Sequence, residues 1–167
     1  MTGLDIRLAR ADDRQDLIDL LWRASLAWDV VRQDLLDHPD VIDVDPEMIA
    51  RNQVFVAEQG GRVLGFATIV PRESGDGQAE GDDAELEGIF VEPSAWRKGI
   101  GTALMHQIER EAQAWGANRL HVVASPNVEG FYISAGFTKT GEQKMTFGPN
   151  GLVMVKPVTP DQAAYST

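Results

Sequence analysis

Hydrophobic positions recur at helical spacing in some segments and form short continuous runs in others, which separates predicted helices from predicted strands. From Leu17 to Leu26, leucines and isoleucines recur at the helical interval, and Ile100, Leu104 and Trp115 belong to a second helical stripe. Short apolar runs bounded by turn residues predict strands instead. These runs are Ile6–Leu8, Val54–Ala57, Val63–Val70, Ala84–Val91, Leu120–Ala124, Phe137–Phe147 and Leu152–Val155. The predicted order, β, α, α, β, β, β, α, β, α, β, β, is typical of a mixed α/β layer structure.

The domain organisation predicted from this order is simple. The chain of 167 residues has no internal repeat and no linker between two patterned regions. We therefore expect a single domain over residues 1–157, followed by a polar tail over residues 158–167.

Composition and charge narrow the function classes. Acidic residues outnumber basic ones by 26 to 15, which gives a net charge of −11. Such a field disfavours nucleic acid and favours a cationic substrate such as an amine, although solubility alone is a sufficient explanation. The absence of cysteine, of a signal-peptide pattern and of an apolar run long enough for a membrane predicts a cytoplasmic protein. Histidines 38, 106 and 121 lack metal-ligand spacing, so we expect no metal site.

The segment LEGIFVEPSAWRKGIG, residues 86–101, carries the strongest chemical signal. It predicts a buried strand that breaks at Pro93 into a basic, glycine-bearing turn and continues directly into a helix. Free backbone N–H groups at such a helix start lie at the positive end of the helix dipole and can hold a pyrophosphate. A mononucleotide P-loop is disfavoured because Gly-Lys-Ser/Thr does not occur, and a dinucleotide fingerprint because Leu104 occupies the third glycine position.

Two blocks of the sequence resemble motifs of one known family. Val91-x-Pro93-x-x-x-x-x-Gly99-Ile100-Gly101-x-x-Leu104 resembles motif A of the GCN5-related N-acetyltransferases, which bind acetyl-CoA. Asn127-x-x-x-Phe131-Tyr132-x-x-x-Gly136-Phe137 resembles their motif B. The resemblance implies a single mixed, mostly antiparallel central sheet flanked by helices on both faces.

The resemblance also implies which residues bind the cofactor. Pantetheine would lie along the end of the predicted strand, and the glycine turn would hold the pyrophosphate. The implied cofactor-binding residues are Ile89, Phe90, Val91, Arg97, Lys98, Gly99, Ile100, Gly101, Thr102, Asn127 and Tyr132. The sequence departs from the family at Trp96, where the pattern has Gln or Arg. This tryptophan either packs the loop onto the core or contacts the cofactor.

Catalytic roles fall on two glutamates and a tyrosine. An ammonium acceptor must lose a proton to attack a thioester, and a carboxylate can accept that proton. Glu85 and Glu87 project to one face of the predicted strand. Glu85 occupies the position of the glutamate base in histone-type family members, whereas Glu87 lies closer to the expected thioester, which favours it slightly. Tyr132 matches the family's tyrosine acid for the leaving thiolate. The alternatives are surface glutamates and a core tyrosine.

The sequence thus predicts an acetyl-CoA-dependent N-acetyltransferase, in which a primary amine attacks directly within a ternary complex. The alternative is a non-catalytic acyl-CoA-binding or sensing module with the same fold. The acceptor is a small-molecule amine or a protein or peptide amine, and the sequence does not distinguish these. A longer acyl donor and a homodimer also remain open.

Overall fold

A computed structural model describes the chain over residues 3–27, 29–72 and 83–158. The strands in these ranges are β1 (Asp5–Leu8), β2 (Val54–Gln59), β3 (Arg62–Arg72), β4 (Asp83–Val91), β5 (Arg119–Ala124), β6 (Thr138–Gln143) and β7 (Gly151–Pro157). The helices are α1 (Arg14–Leu26), α2 (Asp29–Asp37), α3 (Pro46–Ala50), α4 (Ile100–Ala114) and α5 (Glu129–Ser134). Short 3₁₀ turns precede several of them.

The seven strands form one mixed sheet in the order β1-β2-β3-β4-β5-β7-β6. Strand β4 pairs with β5 in parallel, whereas β1 with β2, β2 with β3, β5 with β7 and β6 with β7 are antiparallel. The predicted mixed, mostly antiparallel sheet is confirmed.

Contacts divide the chain into two compact units. The first unit comprises residues 1–68, 89–105 and 146–148. Its core is formed where Leu17, Leu20 and Ala24, one stripe of α1, pack with buried side chains of β2 and β3. The helical interval seen in the sequence is therefore the buried face of α1.

The second unit comprises residues 69–88, 106–145 and 149–167. Ala84 and Leu86 of β4 and Leu120 and Val122 of β5 are buried. The register pairs Ala84 with Leu120 and Leu86 with Val122, so these four side chains share one face. Asp83, Glu85, Arg119 and His121 are on the opposite face.

Three features differ from the predicted elements. Helix α3 was not predicted, because only two residues signal its start. Pro46 takes the first helical position, and the Asp45 side chain accepts a hydrogen bond from the Glu47 N–H. Strand β6 is shorter than the predicted run, which included the exposed residues 144–146. Trp115 is exposed, and its indole donates to Glu111, so it does not continue the buried stripe of α4.

The chain end is described only in part. Val158, the first residue of the predicted tail, is buried and its N–H donates to the Asn118 carbonyl. The rest of the predicted tail, residues 159–167, and most of the predicted loop, residues 73–82, lie outside the described residues.

Candidate functional site

The loop between β4 and α4 has an unusual backbone. After a 3₁₀ turn over Pro93–Ala95, Arg97 has a φ of 66° and Gly99 a φ of 81°, whereas Lys98 between them is not in the left-handed region. Alternation of this kind turns successive N–H groups toward one side and forms a concave anion-binding nest. Arg97, Lys98 and Gly99 are all exposed. The loop thus presents backbone donors and two cations to the solvent.

The start of α4 continues this donor surface. The first intrahelical bond runs from Ala103 N–H to the Gly99 carbonyl, at 3.0 Å. The N–H groups of Ile100, Gly101 and Thr102 precede it and have no helical carbonyl four residues back. They lie at the positive end of a helix of 15 residues. Nothing lies within 4 Å of where a Cβ on Gly99 would be, so the space beside the donors is open.

A residue that the sequence analysis missed, Gly65 of β3, brings α4 close to the sheet. A Cβ at Gly65 would lie 3.0 Å from the Phe90 carbonyl oxygen and 3.2 Å from methyl carbons of both Ile100 and Leu104. Any larger residue would therefore push against the first turn of α4. The sequence feature that could have identified this residue is a glycine inside the apolar run of residues 63–70. Such a glycine often marks a place where another part of the chain approaches the strand closely.

The end of β4 offers a free strand edge. Glu92 N–H donates to the Leu64 carbonyl of β3 at 2.8 Å. Because consecutive N–H groups of a strand point to opposite edges, those of Ile89 and Val91 point away from β3 and that of Phe90 toward it. Over the described residues, parallel pairing of β4 with β5 ends at Leu86 and Val122, although β4 continues to Val91.

A hydrogen bond of the Trp96 side chain links this loop to the end of β4. Its indole Nε1 donates to the Val91 carbonyl at 2.9 Å, and 38% of the residue is exposed. It therefore ties the loop to the end of β4 instead of packing into the core. The family position that usually carries Gln or Arg is here used for a hydrogen bond within the protein.

A buried carboxylate that the sequence analysis also missed lies at the start of the loop. Glu92 is only 5% exposed, and both of its oxygens accept from Arg23 of α1: Nε contacts Oε1 and Oε2 at 2.9 Å, and Nη2 contacts Oε2 at 2.7 Å. The hydrogen bond to Glu92 is the main cause that raises the pKa of Arg23. This pair fastens the last turn of α1 to the residue that precedes the loop.

The predicted bases lie on the second unit's part of β4. Glu85 is half-buried and Glu87 is exposed. Glu85 is in register with His121 of β5, whose Nε2 is 2.9 Å from Asp83 Oδ2. Burial raises the pKa of Asp83, but hydrogen bonds from His121 and Arg119 outweigh it, so that this pKa lies below its usual range.

Tyr132 is the most buried of the three predicted catalytic residues, at 5% exposure. Burial raises the pKa of its hydroxyl to about 12. The turn after α5 fixes its backbone: Phe137 N–H donates to the Tyr132 carbonyl, and Gly136, with a φ of 99°, donates to Ile133. This is a Schellman ending, and its usual apolar contact is the edge-to-face packing of Tyr132 on Phe137.

Asn127 and the histidines contribute less to the candidate site than the residues described above. Asn127 is exposed within the 3₁₀ turn Pro126–Val128 that precedes α5. Among the described residues, no group of three or more His, Asp or Glu side chains could hold a metal ion. Within the same ranges, none of the helices combines the length and the apolar character needed to cross a membrane.

Comparison with known proteins decides the family. A sequence model of the acetyltransferase (GNAT) family matches residues 14–137, which contain β4, the loop, α4 and α5. The chain belongs to this family. Both blocks that resemble GNAT motifs lie inside the match.

Individual GNAT relatives agree with this assignment. An uncharacterized N-acetyltransferase of Mycobacterium tuberculosis is 29% identical over 112 residues, which cover 64% of this chain and 67% of the relative. An aminoglycoside N(6')-acetyltransferase type 1 of Klebsiella aerogenes is 34% identical over 86 residues, or 49% of this chain and 56% of that protein. The PaiA N-acetyltransferase of Thermoplasma acidophilum, solved with coenzyme A, has a TM-score of 0.69 at 16% identity and covers 93% of this chain and 99% of its own.

These findings confirm the predicted family, the GNAT fold and the class of enzyme, an acetyltransferase. The cofactor prediction agrees with the coenzyme A bound in the Thermoplasma structure. The roles assigned to single residues stay predictions.

Proposed function

We propose that the chain is an acetyl-CoA-dependent N-acetyltransferase, in which a primary amine attacks the thioester directly within a ternary complex. The observation that carries the proposal is the donor surface of residues 97–102 in a chain of the GNAT family. The backbone N–H groups of this surface, the dipole of α4 and the two cations Arg97 and Lys98 suit a pyrophosphate. The open space beside Gly99 leaves room for it.

The strand edge supports the rest of the cofactor. Backbone groups of Ile89 and Val91 that point away from β3 are suited to pair with the amides of pantetheine, as an added strand would. Trp96 occupies the Val91 carbonyl, so the available partners are the Val91 N–H and the groups of Ile89. A free N–H at this strand end can also hold the oxyanion of the tetrahedral intermediate, and Ile89 is favoured over Phe90, whose N–H points toward β3.

Proton transfer from the acceptor falls to a carboxylate of β4. Glu87 is two residues from Ile89, and Glu85 is two residues farther and half-buried. Gln variants of each separate them, because Gln keeps the size of the side chain but cannot take the proton. A pH–rate profile whose acid limb persists unchanged in both variants would exclude a carboxylate base at either position.

Tyr132 is suited to protonate the leaving thiolate. With a pKa of about 12, its hydroxyl keeps its proton at neutral pH and is available as a donor. Tyr132→Phe removes the hydroxyl and keeps the ring that packs on Phe137. Full turnover in this variant would exclude the acid role.

The acceptor that we propose is a cationic primary amine. Acids outnumber arginines several-fold between residues 12 and 47, and the whole chain carries a net charge of −11. A field of this sign raises the local concentration of cations. The matched aminoglycoside N(6')-acetyltransferase is named for a substrate of this kind.

The absence of cysteine supports a cytoplasmic location.

The test is a panel of amines with acetyl-CoA and detection of the released thiol. We expect turnover with polyamines or aminoglycosides and weaker turnover with neutral or acidic amines. Turnover only with protein N-termini would contradict the proposed acceptor class and leave the acetyltransferase assignment intact. Tight acetyl-CoA binding without turnover on any amine would favour the non-catalytic alternative.

A further inference from the structure

Lys156 of β7 makes contacts that the proposed mechanism does not use. Its ammonium group donates to the Ala135 carbonyl at 2.6 Å and forms an ion pair with Glu109 of α4. Both side chains of the pair are partly buried, at 23% and 22% exposure. Each charge is thus partly withdrawn from water and is compensated by the other. These contacts therefore define a specific tie among three elements of the second unit.

The carbonyl that Lys156 holds is at the end of the helix that carries Tyr132. In the Schellman turn, the carbonyls of Tyr132 and Ile133 are satisfied by the N–H groups of Phe137 and Gly136. The Ala135 carbonyl is satisfied by the ammonium, which is also the charge that a helix C-terminus favours. The lysine stem crosses the turn, since its Cε is 3.3 Å from where a Cβ on Gly136 would be.

Helix α5 needs an external anchor. It has only six residues, and a helix this short is not stable by its own hydrogen bonds. The ring partners of Tyr132, Phe131 and Phe137, are at 5.2 and 5.4 Å between centroids, but both belong to the same segment and move with it. The contacts of Lys156, in contrast, join this segment to β7 and α4.

We propose that Lys156 is a positioning residue. By linking the Ala135 carbonyl to the Glu109 carboxylate, it fixes α5 and thereby sets the place of the Tyr132 hydroxyl during acetyl transfer. The proposal rests on the proposed function, because it concerns the acid assigned to Tyr132. Lys156 acts through the backbone of α5 and needs no contact with the substrates.

The primary test uses Lys156→Met, which keeps most of the stem and removes the ammonium. We expect kcat to fall about 10- to 100-fold, because a misplacement of about 1 Å in a reacting group can have that effect. The KM for acetyl-CoA should change less than about threefold, since the donor surface of residues 97–102 is left intact. Lys139→Met, at an exposed position of β6, is the matched control and should leave kcat unchanged.

Coupling to Tyr132 distinguishes positioning from a merely structural role. In the Tyr132→Phe background, Lys156→Met should have little further effect on kcat, because the group that it positions is absent. Glu109→Gln is the second, milder variant, and we expect it to lower kcat in the wild-type background only. Lys156→Arg keeps the charge and the donors, so it should restore most of the kcat lost in Lys156→Met.

Each outcome bears on a separate claim. Two results would overturn the positioning role and leave the acid role untouched. One is an equal loss of kcat from Lys156→Met or Glu109→Gln in both backgrounds. The other is no loss of kcat in either background. If Lys156→Met does not fold, Glu109→Gln in the two backgrounds decides the question by itself. Full turnover in Tyr132→Phe alone would overturn the acid role first, and the positioning role with it.

Discussion

Gly65→Ala tests whether the donor surface depends on the close approach of α4 to β3. The added Cβ would lie 3.0 Å from the Phe90 carbonyl oxygen and 3.2 Å from carbons of Ile100 and Leu104. Contacts that short require the neighbours to move by a few tenths of an ångström. Because the neighbours include the backbone of β4 and the first turn of α4, the displaced groups are those proposed to bind coenzyme A.

The expected magnitude follows from two opposing effects. Overpacking a well-packed site costs about 1–3 kcal/mol, whereas replacing glycine restricts the unfolded chain and returns about 0.4–1 kcal/mol. The free energy of unfolding should therefore fall by about 1–2 kcal/mol. A displaced donor surface should also weaken coenzyme A binding, by up to about tenfold, or ~1.4 kcal/mol.

Urea unfolding and calorimetric titration with coenzyme A measure the two quantities. The matched control is Gly141→Ala in β6, where nothing lies within 4 Å of the added carbon. We expect the control to raise the free energy of unfolding by about 0.4–1 kcal/mol, because it has no overpacking cost, and to leave the affinity for coenzyme A unchanged. If Gly65→Ala has the stability and the coenzyme A affinity of the control, the close approach does not position the donor surface.

Three further predictions concern the ionisable groups. The rate of acetyl transfer should not be lost through deprotonation of Tyr132 until the pH approaches its pKa of about 12, and an earlier alkaline limb that disappears in Tyr132→Phe would contradict this. Glu92→Gln should lower the free energy of unfolding by ~1–3 kcal/mol, toward the lower end because Arg23 is half-exposed, and urea unfolding measures it. The hydrogen bond from Arg7 holds the pKa of Asp13 below its usual range, so this stabilisation is present above pH ~4 and is lost as the pH falls toward the native pKa. Asp13→Asn should therefore unfold more easily at neutral pH and lose less stability on acidification than the wild type.

The sequence was informative wherever one local segment determines both structure and chemistry. Gly99 and Gly101 beside a strand end predicted the turn and the helix start, because an exposed loop of this kind depends on short-range backbone geometry. Gly136 likewise predicted the end of α5, where its positive φ is required. Helical apolar spacing predicted α1, and short apolar runs predicted β4 and β5, for the same reason.

What the sequence did not predict are contacts between residues far apart along the chain. Arg23 and Glu92 are 69 residues apart, and Lys156 is 47 residues from Glu109. Neither ion pair has a local pattern, since a charged residue in a helix or strand is ordinarily solvent-exposed. Trp96 shows a related difficulty: its hydrophobicity predicted either the core or the cofactor, whereas its indole donates a hydrogen bond to the carbonyl of Val91, the last residue of β4.

We propose that the donor surface of residues 97–102 holds acetyl-CoA for transfer to a cationic amine. The most direct measurement is the rate of coenzyme A release from acetyl-CoA with a polyamine or aminoglycoside, together with mass spectrometry of the amine. We expect one acetyl group gained by the amine for each thiol released. No acetylated amine across the panel, with acetyl-CoA bound or not, would contradict it.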